Sequence, residues 1–162
     1  MNEVDLSYTA GIIDGEGSIQ IQKHRRSDYS QGYHYAMSVS VQMVDPEVPL
    51  WLKQTFKGSL GIHPAKGNRR AVYTWTITTN RAATFLGAIL PYLKIKRGQA
   101  EIALEFQQLK QKVGHRYCKA THKPLIMLQA EAILAQKITE FHHKGREVSF
   151  PILEEKEQQK LF

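Results

Sequence analysis

The fold class that this sequence predicts is α+β: an αββαββα core in which four antiparallel strands are covered by helices on one face, with more helices at the C-terminal end. Three observations carry that prediction. Apolar residues recur at every second position in two pairs of segments: Ile19 and Ile21 with Met37, Val39, Val41 and Met43, then Leu60 and Ile62 with Tyr73, Trp75 and Ile77. Basic, turn-forming stretches interrupt both pairs, at residues 23–32 and 66–70. After each pair the apolar period lengthens to that of a helix.

In chain order, Asp5-Leu6-Ser7 offers capping side chains for a first helix that ends near Gly15 and Gly17. From Ser18 onward Ile19 and Ile21 alternate with Ser18, Gln20 and Gln22, the pattern of a half-buried strand. Its partner alternates more cleanly, with Ser38, Ser40 and Gln42 between Met37, Val39, Val41 and Met43. One face of this hairpin must therefore pack on a core, and the other must see solvent or a ligand. Asp45-Pro46 reads as an N-cap followed by proline at the first helical position, opening a helix with Leu50, Trp51, Leu52 and Phe56. The second hairpin turns at Lys66-Gly67-Asn68-Arg69-Arg70 and returns with Thr74, Thr76 and Thr78 opposite Tyr73, Trp75 and Ile77. Asn80 is a candidate cap for the helix through Phe85, Leu86 and Ile89.

Next, Ile102, Phe106, Leu109 and Val113 form one stripe of a longer helix that starts near Lys96. Met127, Ala130, Leu134, Ile138 and Phe141 form a stripe on the last. Trp51, Trp75 and Phe85 read as core. Residues 1–144 are expected to make a single domain and residues 145–162 a charged tail.

The 162 residues suffice for one domain with a core. The formal charge of +7 favours an anionic partner. It is unevenly spread: residues 1–123 hold 17 Lys and Arg against 9 Asp and Glu, and residues 124–162 hold 5 against 6. A single cysteine, Cys118, excludes an intrachain disulfide and suits a reducing compartment. The 7 histidines do not fall into a zinc-ligand spacing with it. No leader and no 18-residue apolar run is seen, so no membrane partner is expected.

The most informative stretch is Thr9-Ala10-Gly11-Ile12-Ile13-Asp14-Gly15-Glu16-Gly17-Ser18. A helix rich in small residues leads into two carboxylates at its negative end, where a carboxylate is unfavourable unless a cation arrives. A hard divalent ion that takes a carboxylate and a carbonyl oxygen meets that need. The open strand faces add Ser, Thr and Gln, and their tips add Lys23, Arg25, Arg26, Lys66, Arg69 and Arg70. Gln suits adenine, Arg suits guanine, and cationic tips suit phosphates.

Residues 10–17 resemble the signature of the LAGLIDADG homing endonucleases, differing only at its first letter in type. A second match runs from Leu90 to Lys96, followed by Gln99-Ala100. The resemblance spans roughly residues 5–140. It implies a saddle-shaped sheet in the major groove of a long, pseudo-palindromic double-stranded DNA site. Ser18, Gln20, Gln22, His24, Arg25, Arg26, Ser38, Ser40, Gln42, Lys66, Arg69, Arg70, Thr74 and Thr76 would be the DNA-binding set. With one motif per chain it implies a homodimer joined through Ala10, Gly11 and Asp14.

It further implies Mg²⁺ held by Glu16 and the carbonyl of Gly15, with Mn²⁺ substituting and Ca²⁺ binding without cleavage. Catalytic candidates are Glu16, Lys96, Gln42 and Asp45. Here Asp45 departs from the glutamine of some relatives and also suits a helix cap. The implied activity is a staggered double-strand cut by an intracellular, intron-associated enzyme with no small-molecule substrate. The alternative is a non-cleaving relative, an intron maturase or a transcriptional regulator.

Overall fold

Helix α1 (Glu3–Glu16) runs into strand β1 (Gly17–Arg25) with no residue between them. The structure, a computed structural model, describes residues 2–27, 29, 31–113 and 123–142. The charged tail and Cys118 lie outside the described residues. After β1 come β2 (Tyr33–Met43), α2 (Glu47–Phe56), β3 (Ser59–His63), β4 (Val72–Thr78) and α3 (Thr79–Ile89). A 3-10 turn (Leu90–Tyr92), α4 (Arg97–Val113) and α5 (Leu125–His142) complete the described chain. Both hairpins are antiparallel, and β2 pairs with β4, so the sheet order is β1-β2-β4-β3.

Register explains why one face is buried. Gly17, Val41, Trp75 and Leu60 stand in one transverse row, and Ile19, Val39 and Ile77 in the next. All but the half-buried Leu60 are buried, under Ala10 and Ile13 of α1, Leu52 of α2, and Phe85, Leu86 and Ile89 of α3. Trp75 is fully buried, and its indole Nε1 donates to the carbonyl of Lys57 at 2.7 Å, so the polar edge of the ring is satisfied. That contact needs a tight exit from α2. Lys57 and Gly58 both have positive φ, and a Cβ on Gly58 would lie 2.6 Å from the carbonyl oxygen of Thr76.

Several local expectations are corrected. Asn2, not Asp5–Ser7, caps α1, its Oδ1 accepting from the Asp5 amide at 2.8 Å. Gly15 is helical, and Gly17 has an ordinary φ of −78°. The need at Gly17 is steric: a Cβ there would lie 2.7 Å from both Cα and O of Ile13. Asn80 does not cap α3. Its Oδ1 accepts instead from Gln107 and Gln111 of α4, at 2.6 and 3.2 Å. The buried stripe of α4 is turned from the one expected: Ala100, Ala103, Phe106 and Gln107 are buried, while Ile102 and Leu109 are half-buried. The side chain of Val113 is not described. Small alanines face inward because α4 is wedged between α3, β1 and α5. On α5 the stripe holds at Leu134 and Ile138, with a buried Glu131 that pairs with Lys123.

Candidate nucleic-acid interface and catalytic centre

The uncovered sheet face carries the polar half of each strand. Antiparallel pairing sets Ser18 beside Ser40, Ser40 beside Thr76 and Thr76 beside Ser59, a row of hydroxyls across all four strands. Gln20 lies beside Ser38, and Gln42 beside Thr74. Along β1 the side chains bond to one another: Gln22 Nε2 donates to Gln20 Oε1, and Gln20 Nε2 donates to Ser18 Oγ at 2.8 Å. Further out His24 pairs across to His34, the rings stacked with centroids 5.4 Å apart, and Tyr29 stacks on His34 at 5.2 Å.

The strand parity that brings these residues together sends Arg25 to the other face. Its row is that of Tyr33, two positions along from the row of Lys23 and Tyr35. Lys23 Nζ lies 3.8 Å from the centre of the Tyr33 ring. Arg26 follows the strand, its amide bonded to the Gly32 carbonyl at 2.9 Å. Lys66 and Arg69 close the β3–β4 tip by two backbone hydrogen bonds around Gly67 (φ +60°), which leaves Lys66, Arg69 and Arg70 exposed. Sequence alone missed Ser59, Gly61 and His63, which lie in the rows of Thr76, Thr74 and Val72. The signal that finds them is the register of β3 against β4, since β3 itself alternates weakly.

At one end of this face stands the α1 C-terminus, with Glu16 and Gly15 exposed. The adjoining Asp14 is turned back into the protein. Its carboxylate accepts from the amides of Lys94 (2.7 Å) and Lys96 (2.8 Å) at the start of α4. In return the Lys96 ammonium donates to the carbonyls of Ile13 (2.8 Å) and Asp14 (2.9 Å). A carboxylate thus sits on the positive end of α4 and an ammonium on the negative end of α1, each favourable with its helix dipole. Burial holds the Lys96 pKa below its ordinary value, while Asp14 and Glu16 pull it back up.

Other expected site residues sort differently. Asp45 Oδ1 accepts from the Glu47 amide at 2.9 Å, bracing the start of α2 from one residue ahead of Pro46, which holds the N-cap position expected for Asp45. Ala10 is fully buried inside the subunit, whereas Gly11 is exposed with open space around it. The outward side of α1 also shows Val4 (75% exposed) and Tyr8 (54%), and Ile95 (77%) lies beside Lys96 in the chain. Among the described residues no group of three or more His, Cys, Asp or Glu could hold a metal by itself. The exposed Glu16 carboxylate and the Gly15 carbonyl are hard oxygen donors of the kind a divalent cation takes.

A polar, cation-tipped sheet abutting an acidic helix end offers charge to phosphates and hydrogen-bonding groups to base edges. The family model of the LAGLIDADG endonuclease matches residues 9–113, from α1 to the end of α4. The chain belongs to the LAGLIDADG homing endonuclease family, which makes it a DNA-binding endonuclease by class. It is 25% identical over 138 residues to the DNA endonuclease I-CvuI of Chlorella vulgaris, covering 85% of this chain and 79% of that one. To I-CreI of Chlamydomonas reinhardtii it is 26% identical over 105 residues, covering 64% and 63%.

The fold matches I-CvuI solved with the I-CreI target in 2 mM Mg, the DNA not cleaved. The TM-score is 0.69 at 24% identity, over 86% of this chain and 82% of that one. It also matches the archaeal intron-encoded I-Vdi141I complexed with DNA, at 0.69 and 17% identity, over 86% and 84%. No described helix is long and apolar enough to cross a membrane.

Proposed function

We propose that this protein is a site-specific homing endonuclease that binds double-stranded DNA as a homodimer and hydrolyses one phosphodiester in each strand with Mg²⁺. The observation that carries this reading is the direct junction of α1 and β1, which places an exposed carboxylate at the end of an open face of Ser, Thr and Gln. That face offers donors and acceptors to base edges, and Arg69, Arg70 and Lys66 offer charge to phosphates. Gln42 stands on the same face at the end of β2, next to Val41, the cross-strand partner of Gly17, and would serve there as a water-orienting group.

Glu16 and the Gly15 carbonyl would hold the metal, which when bound supplies charge stabilisation at the scissile phosphate. Lys96 fixes the helix end that presents both ligands, and its ammonium is the cation nearest that end in the described contacts. The dimer reading rests on the outward side of α1. A Cβ on Gly11 or Gly15 would meet open space, and Val4 and Tyr8 are exposed on the same helix, Tyr8 also meeting Trp51 edge-on. Two such faces joined on a two-fold axis would put one Glu16 at each strand. The enzyme would act wherever the host genome lies.

The test is Glu16→Gln, which keeps size and hydrogen bonding but removes the charge. Cleavage with Mg²⁺ should fall by orders of magnitude while binding without metal holds. Gel shift and nicking are read on one target selected from random DNA. A Glu16→Gln variant that cuts at the wild-type rate sinks the assignment. A wild type that binds its site and never cuts it with Mg²⁺ or Mn²⁺ favours the maturase or regulator alternative.

A further inference from the structure

The hydrogen bonds along β1 leave a definite remainder on each amide. A glutamine side chain has two N–H donors and two acceptor lone pairs on its oxygen. Gln20 spends one N–H on Ser18 Oγ and one lone pair on the Gln22 amide. One donor and one acceptor remain. Gln22 spends one N–H on Gln20 and keeps one donor and its acceptor oxygen. Reversing both amides leaves Gln20 with the same remainder, because the Ser18 hydroxyl can donate as well as accept.

That remainder matches one base edge. Adenine presents a donor at N6 and an acceptor at N7 in the major groove, so it takes one acceptor and one donor. Guanine presents two acceptors, O6 and N7. To serve guanine Gln20 would need both N–H groups, which breaks its bond to Ser18. We propose that Ser18, Gln20 and Gln22 form a coupled reader that selects adenine at two positions of the target half-site. Ser18 acts here as a positioning residue that excludes guanine opposite Gln20.

Spacing sets where the two positions fall. Residues two apart on a strand are separated by about 6.6–6.8 Å. Stacked base pairs rise about 3.4 Å each along one DNA strand. A strand lying along the groove therefore places the backbones of Gln20 and Gln22 about two base pairs apart, and the hydrogen bond between their amides draws the reading groups to within one or two base pairs, Gln20 being the nearer to α1. This inference rests on the DNA-binding reading of the open face and adds to it a base preference and a coupling.

The experiment is site selection from a random duplex library in Ca²⁺, followed by sequencing of bound fragments for wild type, Ser18→Ala, Gln22→Ala and Gln20→Ala. Wild type should show adenine at two positions one or two steps apart. Ser18→Ala frees the second N–H of Gln20, so the adenine-over-guanine preference at the Gln20 position should drop by roughly tenfold, with the Gln22 position unchanged. Gln22→Ala should relax both positions, because it removes a base contact and also the partner that orients Gln20. A defined wild-type site at which Ser18→Ala alters nothing, or at which Gln22→Ala relaxes one position alone, overturns the coupled reader. A wild type that selects no site removes the DNA-reading face as well.

Discussion

Gly17 is held by space rather than by conformation. Its φ of −78° is open to any residue, yet a Cβ would lie 2.7 Å from Cα and O of Ile13, which are backbone and cannot swing aside. Gly17→Ala should therefore destabilise the fold by about 1–3 kcal/mol, the usual cost of overpacking. The denaturant midpoint reads this, and an unchanged midpoint would show that α1 and β1 can part. Gly11→Leu makes the opposite case. Nothing in the subunit lies near it, so the folded monomer should keep its midpoint. Sedimentation at micromolar concentration should show about twice 18.5 kDa for the wild type and about half that mass for Gly11→Leu. A wild type that stays monomeric on its DNA removes the two-fold arrangement.

At the scale of elements, the crossed contacts between α1 and α4 predict that Asp14 and Lys96 act as a unit. Asp14→Ala leaves the amides of Lys94 and Lys96 without their acceptor, and Lys96→Met leaves two helix-end carbonyls without their cation. Each should cost stability, and the double variant should cost less than the two single costs added, because both act on one junction. Strict additivity in denaturant midpoints would refute the coupling. A different element gives a pH dependence. The Tyr35 hydroxyl on β2 is raised above its ordinary value of 10.0, first by burial and then by Tyr33 and the Glu131 carboxylate. The fold favours its neutral form, so this contribution is present below pH 10.0 and is lost as pH rises through the folded-state value. Tyr35→Phe should flatten that alkaline loss in midpoints measured across this range, and an unaltered slope would discount Tyr35.

Elements were legible in the sequence wherever burial follows a strict period. Met37, Val39 and Val41 alternate, and they are buried in alternation. The two hairpins, their order and the helices between them follow from such patterns and from turn residues. What did not follow depends on partners distant in the chain. Asn80 has the chemistry of a cap, but Gln107 and Gln111 arrive from α4 to claim its oxygen. Asp14 could have served a metal, a partner subunit or another helix, and the amides of Lys94 and Lys96 that its carboxylate meets lie 80 and 82 residues away in the chain. Arg25 was placed by its charge, whereas the pairing of β1 with β2 places it by parity.

For the whole molecule, the charged tips predict DNA affinity that falls steeply with salt. Loss of Arg69 or Arg70 should reduce the slope of log K against log salt by about one if the side chain holds a phosphate. It should instead relax preference at one position if the side chain reads a base. No change in either quantity would remove that residue from the interface.

The absence of any linker between Glu16 and Gly17 makes α1 and β1 a ruler with its zero mark at the carboxylate. Every graduation on it is covalent. Inserting one residue after Gly17 would move the marks by one and turn them over, sending Ser18, Gln20 and Gln22 into the core and Ile19 and Ile21 out to the surface. A lineage carrying this chain can thus change what stands at each mark by substitution, but it cannot shift the marks relative to the zero. The far ends of the strands are under no such rule. The turns around Gly32 and Gly67 can lengthen, so the span of DNA that such a protein addresses is free to grow outward while the distance from cut to first base stays constant.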